Sequence, residues 1–293
     1  MLISVVIRTL NEARHLPSLL AGIASQQLGA HSAEVVLVDS GSNDGTLDIA
    51  AAHGCRIVHI RKEDFSFGRS LNVGCQAALG EALVFVSGHC VPVDDHWLAK
   101  LVAPLGQAAV AYSYGRQLGG TDTHFSEHQI FAKYFPAQSQ VPQTGFFCNN
   151  ANSALLRSEW QKLPFDEEIT GLEDMHLAKQ LVQQGSKIAY VADARVYHLH
   201  DERWRQVKRR FEREAIALQR IMPEVQLGFW DVARYATSAV LLDWGAALQE
   251  KKLGKTLTEI VAYRLCQFWG AYKGNHVHRQ LSHATKERYY FPR

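Results

Sequence analysis

Short β-branched runs alternate with segments of helical periodicity over roughly the first ninety residues, and this alternation restricts the fold more than any other feature. Continuous apolar strands separated by helices are typical of a parallel sheet that is covered on both faces. The sequence therefore predicts an α/β, Rossmann-like fold with a mostly parallel sheet flanked by helices. The predicted strands are Ser4–Arg8, Glu34–Asp39, Arg56–Ile60 and Ala82–Ser87, and the predicted helices are Leu16–Gln26, Thr46–His53 and Ser70–Leu79.

The second half of the chain has a different pattern. From Tyr112 to Gln143 it is weak and predicts a loop-rich region, followed by strands at Thr144–Arg157 and Lys187–Tyr197 on either side of a helix beginning near Leu172. From Arg203 to about Tyr272 the pattern is helical. We therefore expect one domain over residues 1–202 and a helical C-terminal extension over residues 203–293.

Composition excludes several classes of protein. A net charge of +2 over 293 residues disfavours a chain-wide nucleic-acid binder. The five cysteines are scattered without a CxxC pair, which disfavours zinc and a disulfide framework and favours a reducing, cytoplasmic location. The apolar N-terminus lacks a basic leader and reads as a buried strand. The apolar run from Ser238 to Leu248 is interrupted by Asp243, so any membrane contact is predicted to be peripheral.

Polar clusters follow three of the predicted strands: Arg8 to Glu12, Asp39 to Ser42, and Ser87 to His89. Each cluster alone is equally well explained as a turn or a helix cap, because Ser, Asp, Asn and Gly are the residues that turns require. In doubly wound sheets, ligands bind beyond the carboxyl ends of the strands. The three clusters together therefore predict one binding site at that edge.

The loop from Asp39 to Thr46 is rich in glycine but has no Gly-Lys-Ser/Thr, which excludes a P-loop. No GxGxxG follows the first strand, which disfavours a dinucleotide oxidoreductase. A carboxylate at Asp39 can accept the ring N–H of uracil, thymine or guanine, whereas neutral cytosine offers none. The alternative role, an Asx-type turn that opens the next helix, fits Asp44 better than Asp39.

Four motifs resemble family 2 glycosyltransferases, in that family's order and over roughly residues 3–200: Ser4–Glu12, Val36–Thr46, Phe67–Gly74 and Gly171–Asp174. The resemblance implies a GT-A fold, a nucleoside-diphosphate sugar donor and inversion at the anomeric carbon. By position it implies a catalytic base at Asp174 and assigns a set of residues to the nucleotide pocket. These are Thr9, Asn11, Glu12, Asp39 and Gly41, with Arg69 and Asn72 beside them.

Glu173 and Asp174 stand together at a predicted helix start, where the helix dipole favours negative charge. Inverting transfer needs a carboxylate within hydrogen-bond reach of the acceptor hydroxyl. Successive residues on a helix point in different directions, so we assign the base to Asp174 and an acceptor or backbone-amide contact to Glu173. The alternative is an acidic helix N-terminus that contributes only ~0.3–1 kcal/mol through capping.

The sequence departs from the family where an Asp-x-Asp should hold a metal on the donor diphosphate. It reads Ser87-Gly-His-Cys90 there, and Asp94-Asp95 more plausibly begins the helix that carries Trp97. In one interpretation, His89 joins His198 or His200 and the diphosphate oxygens as ligands of Mn²⁺ or Mg²⁺. In the other, no metal binds, and His89 acts with cationic side chains on the leaving group. The candidate cations are Arg69, Arg203 and Lys208.

The sequence thus predicts an inverting glycosyltransferase that uses UDP- or dTDP-sugars in bacterial cell-surface polysaccharide or lipid-linked glycan synthesis. The alternative is a catalytically silent, nucleotide- or glycan-binding subunit of the same fold. The amides of Asn149, Asn150 and Asn152 are candidate sugar contacts or simply turn residues. The basic and aromatic C-terminal helices either pack on the catalytic domain, form a homodimer, or lie on an anionic bilayer at the inner face of the cytoplasmic membrane.

Overall fold

The computed structural model describes residues 1–277 and 288–290, which form two compact units. The first unit comprises Met1–Gly120, Tyr134–Glu168 and Glu173–Leu199. The second comprises Thr121–Lys133, Ile169–Leu172 and the described chain from His200 onward. The functional division of the chain at residues 202 and 203, into a catalytic and an accessory part, stays a prediction.

One eight-stranded sheet lies in the first unit, in the order β3-β2-β1-β4-β7-β6-β8-β5. The strands β1 to β4, which the first half of the sequence supplies, pair in parallel. Strand β7 is antiparallel to both of its neighbours, β6 and β8 are parallel, and β5 is antiparallel to β8. The strands are β1 (Leu2–Thr9), β2 (Ser32–Asp39), β3 (Arg56–His59), β4 (Ala82–Ser87), β5 (Cys90–Pro92), β6 (Val110–Gly119), β7 (Asn152–Leu156) and β8 (Lys187–His198).

Helices flank this sheet and form most of the second unit, which confirms the predicted α/β class with a helical C-terminal region. The helices predicted at Leu16–Gln26 and Thr46–His53 begin where expected and end within two residues of the predicted ends, and the last three helices cover most of the chain after His200. They are α1 (Leu16–Ala24), α2 (Thr46–Ala52), α3 (Phe67–Ala77), α4 (Trp97–Val102), α5 (Phe125–Tyr134), α6 (Arg157–Lys162), α7 (Glu173–Gln183), α8 (Trp204–Ile221), α9 (Phe229–Gln249) and α10 (Leu253–Asn275).

The core of the first unit is built on the alternate residues of β1, where Ile3, Val5 and Ile7 are fully buried. Trp97 at the start of α4 belongs to the same cluster, and its indole Nε1 donates to Asn152 Oδ1 at 2.8 Å. A buried indole N–H needs such a partner, because an unmade hydrogen bond in the interior costs ~1–3 kcal/mol. This bond ties α4 to β7.

The predicted helix at Ser70–Leu79 instead begins at Phe67, because the Ser66 hydroxyl accepts the Arg69 backbone N–H as an N-cap. The prediction of a loop-rich region from Tyr112 to Gln143 was wrong, since β6 and α5 occupy much of this segment. Polar residues inside β6 hide its periodicity, and they are satisfied internally: buried Ser113, for example, donates to Leu101 O. The strand predicted at Thr144–Arg157 is shorter, covering only Asn152–Leu156.

The second unit contains two buried ionic groups. Glu127 of α5 accepts from Arg210 at 2.6 Å and from His200 at 2.7 Å. Asp243 of α9 accepts from Arg264 of α10 at 2.7 Å. In the described part of the chain, none of the helices combines the length and the apolar character needed to cross a membrane.

Candidate active site

The loops that follow β1 and β2 are joined by hydrogen bonds. Thr9 and Asp39 are register partners at the ends of these strands. Asn11 adopts a left-handed backbone (φ 59°), its Oδ1 accepts Asn43 N–H at 2.9 Å, and its own N–H donates to Ser42 Oγ at 2.9 Å. The polar clusters of these two strand ends therefore meet, as expected for parallel neighbours.

Asp39 is buried at the end of β2, and its carboxylate accepts the backbone N–H groups of Gly41 and Ser42 at 2.9–3.2 Å. Asp44 has a similar role, because it accepts N–H groups from Ala13 and Thr46, and these bonds lower its pKa although partial burial opposes them. Both aspartates thus act as turn residues, not Asp44 alone. The Thr9 hydroxyl is a third donor to Asp39 at 3.5 Å, so about one of the four acceptor sites of this carboxylate remains for a further donor.

A chain of four polar side chains runs from the loop after β1 to the middle of the sheet. Glu12 Oε1 lies 3.0 Å from His89 Nδ1, His89 Nε2 lies 3.0 Å from His198 Nε2, and His198 Nδ1 lies 2.7 Å from Gln117 Oε1. The two imidazole rings are nearly parallel, with an angle of 18° between their planes and centroids 4.9 Å apart, and they approach each other at their Nε2 ends. Glu12 therefore contacts a histidine directly.

The hydrogen bonds around this pair fix where the ring protons are. An ionised Glu12 can only accept, so His89 Nδ1 carries a proton. Asn149 Oδ1 accepts the Ala151 N–H, so it is an oxygen, and it also accepts from Gln117 Nε2. The other end of the Gln117 amide, Oε1, therefore faces His198 Nδ1 as an acceptor. With both Nδ1 atoms protonated, neutral rings would point two Nε2 lone pairs at each other across 3.0 Å. The arrangement calls for a cation between or beside them, a proton or a metal ion.

Asp174 lies in the first turn of α7 and is buried. Its Oδ2 accepts the Asn150 backbone N–H at 2.7 Å, and its Oδ1 accepts the Met175 N–H at 2.7 Å. Burial, followed by the charge of Glu173, raises the pKa of this carboxyl to about 7, although the two amides and Arg8 oppose the shift. A carboxylate with this affinity for protons is suited to accept one near neutral pH.

Glu173, the other member of the acidic pair, contacts a cation. Its Oε1 lies 3.0 Å from Arg8 Nη1, and the same nitrogen donates to Phe67 O at 3.2 Å. The Arg8 guanidinium also lies over the Phe67 ring, 5.1 Å from its centroid. Glu173 and Asp174 therefore have different surroundings, as expected from their directions on the helix.

Asn150 lies beside Asp174 with its side chain 3% exposed. Its Oδ1 accepts the hydroxyls of Tyr112 and Ser153, the latter at 2.7 Å, while its Nδ2 has no hydrogen-bond partner. Turning the amide over would leave Oδ1 without a partner instead, since both hydroxyls then accept from Nδ2. One polar atom of Asn150 is thus left for a group that the protein does not supply.

The residues expected beside the nucleotide pocket fall into two classes. The Arg69 side chain is exposed on α3. The Asn72 amide is buried and engages Phe165 O, Glu167 Oε1, Trp160 Nε1 and Phe165 N–H at 2.9–3.1 Å. Its two donors and two lone pairs are used within the protein, so its function is to hold the segment from Trp160 to Glu167.

Several other sequence candidates already have partners within the protein. Asp94 accepts from Lys100 and from His96 N–H at the start of α4, as its predicted helix-start role requires. His200 pairs with Glu127 in the second unit. Arg203 and Lys208 also belong to the second unit, where Arg203 immediately precedes α8 and Lys208 lies on it.

Two features of the site were missed from the sequence. Gln117 is the partner of His198, but it lies in β6, a segment whose strand character was hidden. From the sequence, Arg8 was named only as a member of a polar cluster. Its position at the end of β1 is the signal that could have indicated an ion pair with the acidic residues at the start of α7. Pairing across 165 residues requires the sheet order.

The first unit combines parallel strand ends, whose polar loops are joined by hydrogen bonds, with a buried carboxylate at the start of a helix. A computed family model described as glycosyl transferase family 2 matches residues 4–162, which is more than half of the chain. The chain belongs to this family, and the expectation of a glycosyltransferase enzyme is confirmed.

Two relatives from Salmonella are similar to the chain. The O-antigen chain rhamnosyltransferase RfbN of Salmonella typhimurium is 27% identical over 69% of this chain and 67% of its own length. The O-antigen chain rhamnosyltransferase WbaN of Salmonella anatum is 27% identical over 64% of this chain and 63% of its own length. The chain thus spans about two thirds of each relative. The solved mannosyltransferase PcManGT of Pyrobaculum calidifontis, in complex with GDP-Man and Mn²⁺, has the same fold, with a TM-score of 0.65 and 19% identity over 90% of this chain and 85% of that one.

Proposed function

We propose that this glycosyltransferase moves a sugar from a nucleoside-diphosphate donor to an acceptor hydroxyl with inversion at the anomeric carbon. The observation that carries the proposal is Asp174: a buried carboxyl with a pKa of about 7 whose two oxygens are held by backbone amides. The amides fix its orientation, and the raised pKa lets it accept a proton at neutral pH.

In the proposed step, the acceptor oxygen attacks the anomeric carbon on the face opposite the diphosphate. The acceptor proton passes to Asp174, a new glycosidic C–O bond forms, and the C–O bond to the diphosphate breaks with its electron pair on the leaving oxygen. Glu173 acts indirectly, because its bond to Arg8 fixes the charges around the base. Asp174 and Glu173 are thus the proposed catalytic pair, with different roles.

Thr9, Asn11, Asp39 and Gly41 form the proposed nucleotide pocket. The remaining acceptor site of Asp39 is suited to the ring N–H of uracil or thymine, which favours a UDP- or dTDP-sugar. Glu12, assigned to the same pocket from the sequence, is better placed as the partner of His89.

The histidine pair fits a divalent metal. Each ring is held through Nδ1 by an acceptor, Glu12 or Gln117, which leaves both Nε2 atoms directed to one place. This is how metal-ligating histidines are oriented by the groups behind them. We propose that His89 and His198 hold Mn²⁺ or Mg²⁺, which when bound neutralises charge on the leaving diphosphate.

The names of the relatives support a role in cell-surface glycan synthesis, since both are O-antigen chain rhamnosyltransferases. The proposed acceptor is therefore a glycan, free or carried on a lipid, and dTDP-rhamnose is the first donor to test. The alternative of a silent binding subunit predicts nucleotide binding without turnover.

The test is a panel of UDP-, dTDP- and GDP-sugars, scored for transfer and donor hydrolysis with and without EDTA. We expect Asp174→Asn to lower turnover ~10²–10⁴-fold, the usual contribution of a general base, while nucleotide binding persists. Asp48→Asn, an exposed aspartate on α2, is the matched control and should match wild type. Nucleotide binding without turnover of any donor by wild type favours the silent subunit, and near-normal transfer by Asp174→Asn refutes the base assignment.

A further inference from the structure

Helices α9 and α10 form a hairpin in the second unit that directs large apolar side chains outward. Rings of the two helices pack together, with centroids 6.4 Å apart for Tyr235 and Phe268 and 6.5 Å apart for Phe229 and Tyr272. Nine large apolar side chains of the hairpin nevertheless stay exposed, Trp230 at 80% and Leu242 at 71% among them. The nine are Phe229, Trp230, Tyr235, Leu241, Leu242, Leu248, Leu257, Leu265 and Trp269.

The hairpin differs from an ordinary amphipathic pair, because one of its ion pairs is buried while large apolar residues are exposed. Asp243 is 3% exposed and Arg264 is 7% exposed, and they form a bidentate ion pair. Arg264 Nε donates to Asp243 Oδ2 at 2.7 Å, and Arg264 Nη2 donates to Asp243 Oδ1 at 2.8 Å. Ser126 of α5 donates to the same carboxylate at 2.6 Å. This buried pair fixes the rotation of both helices, so the leucines and tryptophans opposite it must point away from the unit's interior.

The exposed residues of α9 follow helical spacing. Trp230, Leu241 and Leu248 lie 11 and 7 residues apart, which are whole numbers of turns, so they form one stripe along the helix. Leu242 lies on the adjoining stripe. A group of exposed apolar side chains on one side of a helix, rather than scattered single residues, marks an interaction surface.

The charges around this face are mainly positive. Five exposed cations surround it, and two of them, Arg234 and Lys273, lie over the rings of Tyr235 and Trp269 at 4.7 and 5.8 Å. Glu250 is an exposed carboxylate here, and it pairs with Lys252 at 2.7 Å. Asp231 is equally exposed (44%); it accepts Gly228 N–H and lies 3.8 Å from Arg234. Asp243 pairs with Arg264, and Glu259 accepts Phe125 N–H. The cations are Arg234, Lys251, Lys252, Lys255 and Lys273.

We propose that this face, the outer surface of the α9–α10 hairpin, binds an anionic lipid bilayer. Exposed Trp and Leu enter the boundary between headgroups and acyl chains, while a rim of Lys and Arg attracts anionic headgroups. A second copy of the chain is a poorer partner, because pairing the same face would bring two basic rims together. The surface would hold the enzyme beside a membrane without crossing it.

The experiment is flotation of the full chain with vesicles of phosphatidylcholine containing phosphatidylglycerol, compared with vesicles of phosphatidylcholine alone. We expect wild type to float with the anionic vesicles and to be released as salt rises, because salt screens the headgroup charge. The triple variant Trp230→Ser, Leu241→Ser, Leu248→Ser should partition about tenfold more weakly, since each lost apolar side chain removes buried hydrocarbon. A charge variant, Lys251→Glu with Lys255→Glu, should lose the preference for anionic vesicles.

The matched control is Leu79→Ser, which removes an equally exposed leucine (63%) from the first unit and should float like wild type. Circular dichroism and thermal melting establish that each variant is folded. Analytical ultracentrifugation tests the alternative partner. The proposal is overturned if folded wild type stays with the unbound fraction, if the triple variant floats as wild type does, or if the triple variant instead converts a dimer to monomer.

Discussion

The backbone N–H of Asn150 donates to Oδ2 of Asp174 at 2.7 Å. This bond joins the turn before β7 to the first turn of α7, and it holds a buried carboxyl whose protonation is finely balanced. The amide favours the ionised form, whereas burial and Glu173 favour the neutral form. The proposed base therefore ionises near neutral pH rather than near pH 4.

The first prediction concerns the pH dependence of sugar transfer. A base must be ionised to act, and the raised pKa of Asp174 means that this form accumulates only as pH rises through about 7. Turnover should therefore fall steeply below pH 7, about tenfold for each pH unit, as expected for one proton. The measurement is kcat/KM for the acceptor as a function of pH, with the donor kept saturating at every pH. A profile that stays flat over the range from about pH 5 to about pH 8 would show that ionisation of Asp174 does not limit transfer.

The second prediction uses two substitutions of opposite effect. Arg8 lowers the pKa of Asp174 and Glu173 raises it. Arg8→Gln removes the positive charge that lowers this pKa, so it should move the acid limb of the pH–rate profile to higher pH. Glu173→Gln removes the negative charge that raises it, so it should move the limb to lower pH. Arg8→Lys, which keeps the charge, is the control.

Displacement of the acid limb in the same direction by both variants would contradict electrostatic tuning. Structural damage alone would lower the rate at every pH without moving the limb.

The parallel half of the sheet and the strand-end site could be predicted because they depend on local patterns. Apolar runs such as Val5 to Ile7 and turn residues such as Asp39 can be recognised from a few neighbouring residues of the sequence. Strand β6 could not be predicted, because its buried Ser113 and Gln117 interrupt the apolar pattern. Their hydrogen bonds to Leu101 and Asn149, which stabilise these buried polar groups, form only in the folded chain. For the same reason the sequence indicated Asp174 but not the environment that raises its pKa.

The third prediction concerns Asn72, which the sequence placed beside the nucleotide. Because its amide makes four internal hydrogen bonds, Asn72→Ala should lower the free energy of unfolding by ~2–4 kcal/mol through the buried groups it leaves unpaired. Nucleotide affinity of the folded variant should stay within about twofold of wild type, less than 0.5 kcal/mol. Chemical denaturation and calorimetric titration with UDP or dTDP measure the two quantities. Weakened nucleotide binding with unchanged stability would restore the role expected from the sequence.

The fourth prediction concerns the unpartnered amide of Asn150. Asn150→Asp keeps the size of the side chain and the backbone N–H, but it places a carboxylate beside Asp174. The added negative charge should raise the pKa of Asp174 further and move the acid limb to higher pH. Ser153→Ala, which removes one hydroxyl from Asn150 Oδ1 without adding charge, is the comparison and should leave the limb in place. Equal displacement by both variants would contradict an electrostatic origin.

The fifth prediction concerns the two facing histidines. If Nε2 of His89 and Nε2 of His198 need a cation to separate their lone pairs, Mn²⁺ should raise the melting temperature of wild type, because a ligand that binds only the folded state stabilises it. His89→Ala should abolish this shift, and Glu12→Gln should weaken it, since Gln can present an N–H where His89 Nδ1 needs an acceptor. His53→Ala, which removes an exposed histidine of the first unit, is the control. Because melting reports binding without turnover, this experiment separates metal affinity from catalysis, and an Mn²⁺ shift that survives His89→Ala would place the ion elsewhere.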